Sequence, residues 1–128
     1  MNRLIGLFCV IVFSLQGLAQ DKVYAELERA FQRGDEKTIL AHVGDKLLLE
    51  IDSKEKVYSH AQAELILRDF FHKNKPSSFK LIFKGNAKGS VAYAVGILDT
   101  PSKKFRVTIT LKENQSVFKI EQMSMEEE

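Results

Sequence analysis

The sequence predicts an α+β domain in which three helices near the amino terminus pack on a curved, mostly antiparallel sheet. Two observations predict this class. Apolar residues recur at helical spacing in the first half of the chain, whereas the second half contains four β-rich runs joined by short, turn-rich links. Links of this length connect neighbouring antiparallel strands and are too short for crossover helices. The predicted order of elements is therefore α-α-β-β-α-β-β-β-β.

Two helices are predicted to open the domain. Gly34 supplies the left-handed stop of the first helix. Asp35 then caps a short second helix, which Gly44 ends. The apolar stripe of the first helix consists of Val23, Leu27, Ala30 and Phe31.

A hairpin and a third helix follow. Residues 46–52 are predicted as a strand, and residues 56–58 as its short return. Ser59 and Gln62 match a capping box, so the third helix begins directly after Ser59. Its apolar face consists of Ala63, Ile66, Leu67, Phe70 and Phe71.

The remaining chain is predicted as an antiparallel meander. In the third run, apolar residues alternate with Lys, Arg and Thr, so one face of the sheet is buried and the other is exposed to water. Gly96, inside the second run, marks a predicted bulge or bend. The four runs are Phe79–Lys84, Val91–Leu98, Lys104–Lys112 and Val117–Gln122.

Length and composition limit the classes of protein that remain. The chain has 128 residues, 45% of them hydrophobic, and a single cysteine. This length suits one domain, and the composition excludes wholesale disorder. One cysteine also excludes a disulfide framework and a cysteine-based zinc site.

The amino-terminal segment is predicted to be a cleavable signal peptide, residues 1–19. Arg3 precedes an unbroken apolar run over residues 4–13, and Gly17 and Ala19 supply small residues before a cut ahead of Gln20. The run is shorter than the roughly 20 apolar residues of a spanning helix. We therefore expect export to the periplasm or the extracellular space, with no stable membrane span after cleavage. The mature chain divides into a domain over residues 20–125 and an acidic tail, residues 126–128.

Six short segments carry a resemblance to a known family: Ala30–Asp35, Tyr58–Glu64, Phe70-Phe71, Ser77–Phe79, Gly96–Thr100 and Phe105–Val107. In these segments the chain resembles an exported bacterial family, the domain-of-unknown-function family 4783, within the nuclear-transport-factor-two-like (cystatin-like) α+β superfamily. The resemblance implies a conical sheet wrapped on helices, a central pocket, an exported location and no assigned activity. The wider superfamily includes isomerases and dehydratases, but this chain has no catalytic motif to which their residues can be transferred.

The ionisable residues predict no catalytic, cofactor or metal site. His60 and His72 are 12 positions apart on the third helix, which separates them by about 120° around its axis. They therefore cannot share a metal from that helix alone, and His42 is expected to help to end the second helix. Glu50 and Asp52 are predicted to lie on one solvated face of the hairpin. The alternative is that Glu50 acts as a base at the mouth of the cone, which would require its burial.

Tyrosine supplies the candidate pocket residues. Tyr24, Tyr58 and Tyr93 are the large side chains with a polar tip that the pattern places near the interior. One interpretation is that their hydroxyls orient a small apolar ligand in a pocket. The alternative is that each hydroxyl bonds a backbone carbonyl or water at the edge of the core.

Charge divides the chain into two halves. Residues 20–69 contain 11 acidic and 8 basic residues, a net charge of −3, whereas residues 70–125 contain 3 acidic and 10 basic residues, a net charge of +7. One interpretation is an electropositive sheet face for an anionic envelope component or an acidic partner. The alternative is an ordinary solvated face whose lysines prevent strand-to-strand aggregation. The residues of this candidate basic face are Lys80, Lys84, Lys104, Arg106, Lys112 and Lys119.

The sequence thus predicts an exported, non-enzymatic domain that binds an unknown small apolar ligand or an envelope protein. The alternative is a small-molecule enzyme of isomerase or dehydratase type, with its site inside the cone. Nucleic acid is not expected as a partner, since no reader motif is present. A homodimer through the sheet face is a further expectation, with a smooth strip formed by Ala92, Ala94, Gly96 and Leu98.

Overall fold

The structure, a computed structural model, describes residues 19–128 and confirms the predicted order of elements. Helix α1 covers residues 19–33 of this range. The later helices are α2 (Glu36–Ala41) and α3 (His60–Lys73). The strands are β1 (Val43–Ile51), β2 (Lys54–Ser59), β3 (Ser78–Lys84), β4 (Val91–Asp99), β5 (Lys104–Asn114) and β6 (Val117–Glu127).

All six strands form one sheet in the order β2-β1-β6-β5-β4-β3. Every neighbouring pair is antiparallel except β1 and β6, which run parallel. The parallel pair joins the hairpin β1–β2 to the meander β3–β6. The sheet is therefore mostly antiparallel, as predicted.

The core lies between the helices and the inner face of the sheet, and phenylalanine rings occupy its centre. Phe31 of α1 stacks on Phe79 of β3 with ring centroids 4.7 Å apart. Phe31 also meets the edge of Phe71 of α3 at 5.8 Å. Phe70, the neighbour of Phe71, contacts Phe105 of β5 at 5.1 Å. These contacts join α1 and α3 to two strands of the sheet, β3 and β5.

The helix ends follow from local hydrogen bonds that the sequence predicts. Gly34 adopts a φ of 63°, and the Asp35 N–H donates to Ala30 O at 2.8 Å, which ends α1. At α3, the Gln62 N–H donates to Ser59 Oγ while the Ser59 N–H donates to Gln62 Oε1. The predicted capping box is confirmed.

Asp35 is expected to contribute about 1 kcal/mol to stability as the N-cap of α2, so Asp35→Ala lowers the free energy of unfolding by that amount at neutral pH. The Thr38 hydroxyl donates to the Asp35 carboxylate at 2.6 Å and holds the pKa of Asp35 below its ordinary value of 3.8. Because the pKa is lower in the folded state, the contribution is present above pH 3.8 and is lost as the pH falls through the folded pKa.

Urea denaturation of wild type and Asp35→Ala across this pH range measures the difference. Asp45→Ala removes an exposed carboxylate from β1 and serves as the control. A difference between wild type and Asp35→Ala that persists unchanged at low pH contradicts the assignment.

The second helix is shorter than predicted. It ends at Ala41, and the His42 N–H donates to the carbonyls of Ile39 and Leu40. Val43 and Gly44 then belong to β1 instead of the helix. The β-branched Val43 is buried opposite Ile120 of β6, so pairing with the parallel strand extends β1 beyond the predicted start.

The last strand is longer than predicted, and residues 126–128 do not form a tail outside the domain. Met123 and Met125 are fully buried, and pairing with β5 continues through Glu126 and Glu127. The Glu128 N–H then donates to Lys104 O at 2.8 Å. Burial of the two methionines explains why a run with three terminal glutamates stays in the sheet.

Side chains of α1 form hydrogen bonds with backbone groups at the edge of the sheet. The Leu81 N–H donates to Glu28 Oε2 at 2.8 Å, and Gln32 Nε2 donates to Phe79 O at 3.0 Å. Both backbone groups belong to β3, which is an edge strand. The helix therefore satisfies groups that would otherwise be free to pair with another chain.

The predicted signal peptide lies outside the described residues, apart from its last residue, Ala19. Within residues 19–128, no helix combines the length and the apolar character needed to cross a bilayer.

Candidate functional site

A cavity of about 460 Å³ opens at one end of the sheet, and we call it the α3 cavity. It lies between α3, the hairpin β1–β2 and the turn between β4 and β5. Its size is within the range of small-molecule sites. The lining residues are Leu49, Ile51, Asp52, Lys54, Tyr58, Ile66, Asp69, Phe70, Lys73, Asn74, Lys103 and Phe105.

The floor of the α3 cavity is apolar. Leu49, Phe70 and Phe105 are almost fully buried, and the rings of Phe70 and Phe105 meet edge to face. Ile51 and Ile66 are half-buried and pack against the same core. These five side chains come from β1, α3 and β5, so the tertiary fold assembles the floor.

Helix α3 directs one face into the cavity. Ile66, Asp69, Phe70 and Lys73 lie at i, i+3, i+4 and i+7, the spacing of one helical face. Asp69 and Lys73 form an ion pair of 3.1 Å at the exposed end of this face. Asn74 caps the helix by donating from Nδ2 to Phe70 O at 3.1 Å, which leaves its amide oxygen as an acceptor.

The rim of the cavity is polar and carries charges of both signs. Asp52 lies in the β1–β2 turn with a φ of 52°, a left-handed conformation that Asp tolerates better than most residues. Lys54 follows in the same hairpin, and Lys103 approaches from the β4–β5 turn. Lys103 also lies 3.8 Å from Glu127. An apolar floor under such a rim suits a ligand with an apolar body and a polar group at the mouth.

Tyr58 is the aromatic residue of β2 in this cavity. It is half-buried against the core, and Lys56 Nζ lies over its ring, 5.6 Å from the ring centroid. Within residues 19–128, no hydrogen bond joins the Tyr58 hydroxyl to a carboxylate. The phenol therefore stands as a polar group at the wall of the α3 cavity.

The sequence model of the family described as Domain of unknown function (DUF4783) matches residues 24–126. The chain belongs to the DUF4783 family. A DUF4783 family protein from Bacteroides ovatus ATCC 8483 is similar in structure, with a TM-score of 0.77 and 28% identity over 81% of this chain and 94% of that one. A DUF4783 family protein from Bacteroides uniformis ATCC 8492 has a TM-score of 0.77 and 26% identity over 81% of this chain and 95% of that one.

The fold extends to more distant proteins. An NTF-2 like protein of unknown function from Silicibacter pomeroyi DSS-3 has a TM-score of 0.66 and 13% identity, over 91% of this chain and 98% of that one. At this identity the likeness concerns the fold alone. No curated protein matches the chain. The predicted family and the NTF2-like α+β fold are thus confirmed, and DUF4783 carries no specific function.

The three candidate tyrosines do not meet in the DUF4783 domain. Tyr58 alone lines the α3 cavity. Tyr24 is 1% exposed, and its hydroxyl donates to Gly85 O at 2.8 Å and lies 3.3 Å from Tyr93 O. Burial, and then the nearby charge of Asp21, raise the pKa of Tyr24 to about 12. For Tyr24, therefore, the hydrogen bond to a backbone carbonyl is the correct interpretation.

Tyr93 lies on the opposite face of the sheet from the one predicted. It is 49% exposed and contacts Phe83 at 5.1 Å between ring centroids. The strip predicted for close approach of a second copy is instead the buried face of β4, because Ala92, Ala94, Gly96 and Leu98 all point into the core. Residues of this strip cannot form a dimer surface.

The six residues of the candidate basic face are all exposed, but several have acidic neighbours. Arg106 bonds Glu128 at 3.1 Å, Lys104 lies 3.7 Å from Asp99, and Lys112 lies 3.9 Å from Glu121. Lys119 donates to Ala41 O at 3.3 Å. Lys80 and Lys84 have no carboxylate within 4 Å in the described part of the chain.

The histidines lie apart from the α3 cavity. His42 Nε2 lies 2.9 Å from Glu26 Oε2, and His60 Nε2 lies 2.8 Å from Leu40 O. His72 lines a second cavity of about 660 Å³ between the end of α1, α2 and the end of α3. Among residues 19–128, no three His, Asp or Glu side chains lie close enough to hold a metal ion.

Sequence reasoning missed most of the lining of the α3 cavity. Glu50, the candidate base at the mouth of the cone, pairs with Glu55 on the outer face of the hairpin. It does not line the α3 cavity. Asp69 and Lys73 carried a usable signal, because they interrupt the helical face of Ile66 and Phe70 with polar groups at its end. No feature of the sequence indicated Lys54 or Lys103, since only the assembled sheet brings the β1–β2 turn and the β4–β5 turn together.

Proposed function

We propose that this DUF4783 domain is an exported, non-enzymatic binding protein whose α3 cavity takes a small ligand with an apolar body. One observation carries the proposal: five apolar side chains, including the paired rings of Phe70 and Phe105, line a cavity that opens through a polar rim. The leader pattern before Gln20 supports a periplasmic or extracellular location.

The polar groups of the rim favour binding over catalysis. An acid–base enzyme places a carboxylate or imidazole within hydrogen-bond reach of the group it protonates. In the α3 cavity Asp69 is engaged by Lys73, and the histidines lie elsewhere. Asp52 and Tyr58 also line the cavity, but no hydrogen bond within residues 19–128 joins them as an acid–base pair.

Filling the cavity is expected to weaken the binding of an apolar probe. Ile66→Trp replaces an aliphatic side chain by a bulky indole ring over the floor of the cavity. The affinity for N-phenyl-1-naphthylamine is therefore expected to fall at least about tenfold, equivalent to 1.4 kcal/mol. Leu65→Trp, on the same helix but 59% exposed and away from the cavity, is the matched control and leaves the affinity unchanged.

Fluorescence of the probe, excited beyond the absorption of tryptophan, measures both variants. Circular dichroism checks that each variant is folded. Wild-type protein that shows no saturable binding overturns the proposal, and so does an equal loss in both variants.

A further inference from the structure

A cluster of exposed apolar side chains lies at the other end of the sheet from the α3 cavity. Ile82, Phe83, Val91 and Tyr93 are each 42–57% exposed. They lie where β3 ends and β4 begins, and the rings of Phe83 and Tyr93 are in contact. The other exposed large apolar side chains of residues 19–128 lie singly on β2, α3 and β6.

Strand pairing places most of this cluster on the outer face of the sheet. Phe83 is opposite Val95, and Val91 and Tyr93 lie on the same face of β4 as Val95, at every second position. Residues that pair directly across antiparallel strands project to the same face. Phe83, Val91 and Tyr93 therefore share one continuous surface, directed away from the helices.

Two lysines flank these apolar side chains on the same face. Lys80 lies in β3 opposite Ile97, and Lys88 lies in the link before β4, where its N–H donates to Val91 O at 2.9 Å. Over the described part of the chain, neither has a carboxylate within 4 Å. We call these two lysines and the four apolar side chains the β3–β4 patch.

The link that carries Lys88 is held in place from below by α1. Gln20, 4% exposed, donates from Nε2 to Gly85 O at 2.9 Å and accepts from the Ala87 N–H at 2.9 Å. The Tyr24 hydroxyl donates to Gly85 O as well. The patch is therefore formed before any partner arrives, and little ordering entropy opposes binding.

We propose that the β3–β4 patch binds the surface of an anionic phospholipid membrane. Aromatic and aliphatic side chains of this kind enter the interface, and lysines beside them contact the headgroup phosphates. A second copy fits less well, because a two-fold contact places the same patch against itself and brings unpaired lysines together.

Binding in this orientation leaves the α3 cavity accessible. Phe105 lines the cavity, whereas Lys112 pairs with Val91 of the patch, seven residues along β5. At about 3.3 Å per residue the two sites are roughly 23 Å apart. The cavity mouth then faces water while the patch contacts lipid, so membrane binding is independent of the proposed ligand binding.

Vesicle sedimentation tests the proposal. The protein is expected to sediment with vesicles of equal parts phosphatidylglycerol and phosphatidylcholine, less with phosphatidylcholine alone, and less as salt is raised. Lys80→Gln and Lys88→Gln each lower the partition coefficient about fivefold. Lys37→Gln and Lys75→Gln, exposed lysines outside the patch, are the matched controls.

A tryptophan reporter locates the contact, because the chain contains no tryptophan. The emission of Phe83→Trp is expected to shift to shorter wavelength with the anionic vesicles, whereas that of Leu65→Trp does not. Absence of sedimentation at low salt overturns the proposal, as does an equal effect of patch and control lysines. A dimer in light scattering that Phe83→Ser dissociates assigns the patch to a second copy instead.

Discussion

Phe31→Ala is expected to lower the free energy of unfolding by about 3–5 kcal/mol. Phe31 is completely buried, stacks on Phe79 and meets the edge of Phe71. Its removal leaves a cavity between α1, α3 and β3, at the centre of the aromatic cluster. Neither ring can move fully into the space, because Phe71 is fixed by α3 and Phe79 by its pairing with Leu98.

Urea denaturation measures this loss, and Phe83→Ala is the matched control. Phe83 is the same residue type, but 46% of it is exposed on the outer face. Its replacement is expected to cost less than about 1 kcal/mol, since little additional apolar surface is returned to water. A loss of similar size in both variants contradicts the placement of Phe31 at the centre of the core.

The helical half of the fold could be predicted because its signals are local. The stripe of α1 needed only apolar spacing, and Ser59 and Gln62 form their capping box within four residues. Gly34 has the left-handed conformation that its position at a helix end predicts. In each case the residues that decide the structure are close neighbours in the chain.

The inner and outer faces of β4 could not be predicted, because apolar residues occupy both. Val91, Tyr93 and Val95 alternate with Ala92 and Ala94, so the residues on the two faces do not differ in hydrophobic character and their alternation does not show which face is buried. The register with β5 decides the matter. Ala94 pairs with the buried Ile109, and Tyr93 pairs with Thr110, which lies on the face that the charged residues of β5 share.

The end of β6 and the α3 cavity depend on contacts between distant segments. Glutamate is unfavourable in strands, so a terminal run of three predicts the end of the sheet. Pairing with β5 overrides this preference and places Glu127 beside Lys103. The cavity likewise joins Lys54 and Lys103, 49 positions apart in the chain, through the pairing of β1 with β6 and of β6 with β5.

Gly96→Ala is expected to lower the free energy of unfolding by about 1–3 kcal/mol, the usual cost of overpacking. The sequence suggested a bulge at Gly96, but β4 pairs with β5 without interruption there. The register shift lies in β3 instead, between Leu81 and Phe83, beside Gly96. The absent side chain at Gly96 makes room for the ring of Phe79.

A Cβ at Gly96 would clash with Phe79 Cζ and would lie 3.1 Å from Lys80 O. The ring cannot yield freely, because Phe31 stacks on it, so the added methyl disturbs the same cluster that Phe31→Ala empties. Gly44→Ala is the matched control, since a Cβ at Gly44 in β1 meets nothing within 4 Å. That change is expected to be neutral or to stabilise by up to about 1 kcal/mol. Thermal and urea unfolding of the two variants therefore separate steric crowding from the general effect of replacing glycine in a strand, and equal stabilities would assign Gly96 no packing role.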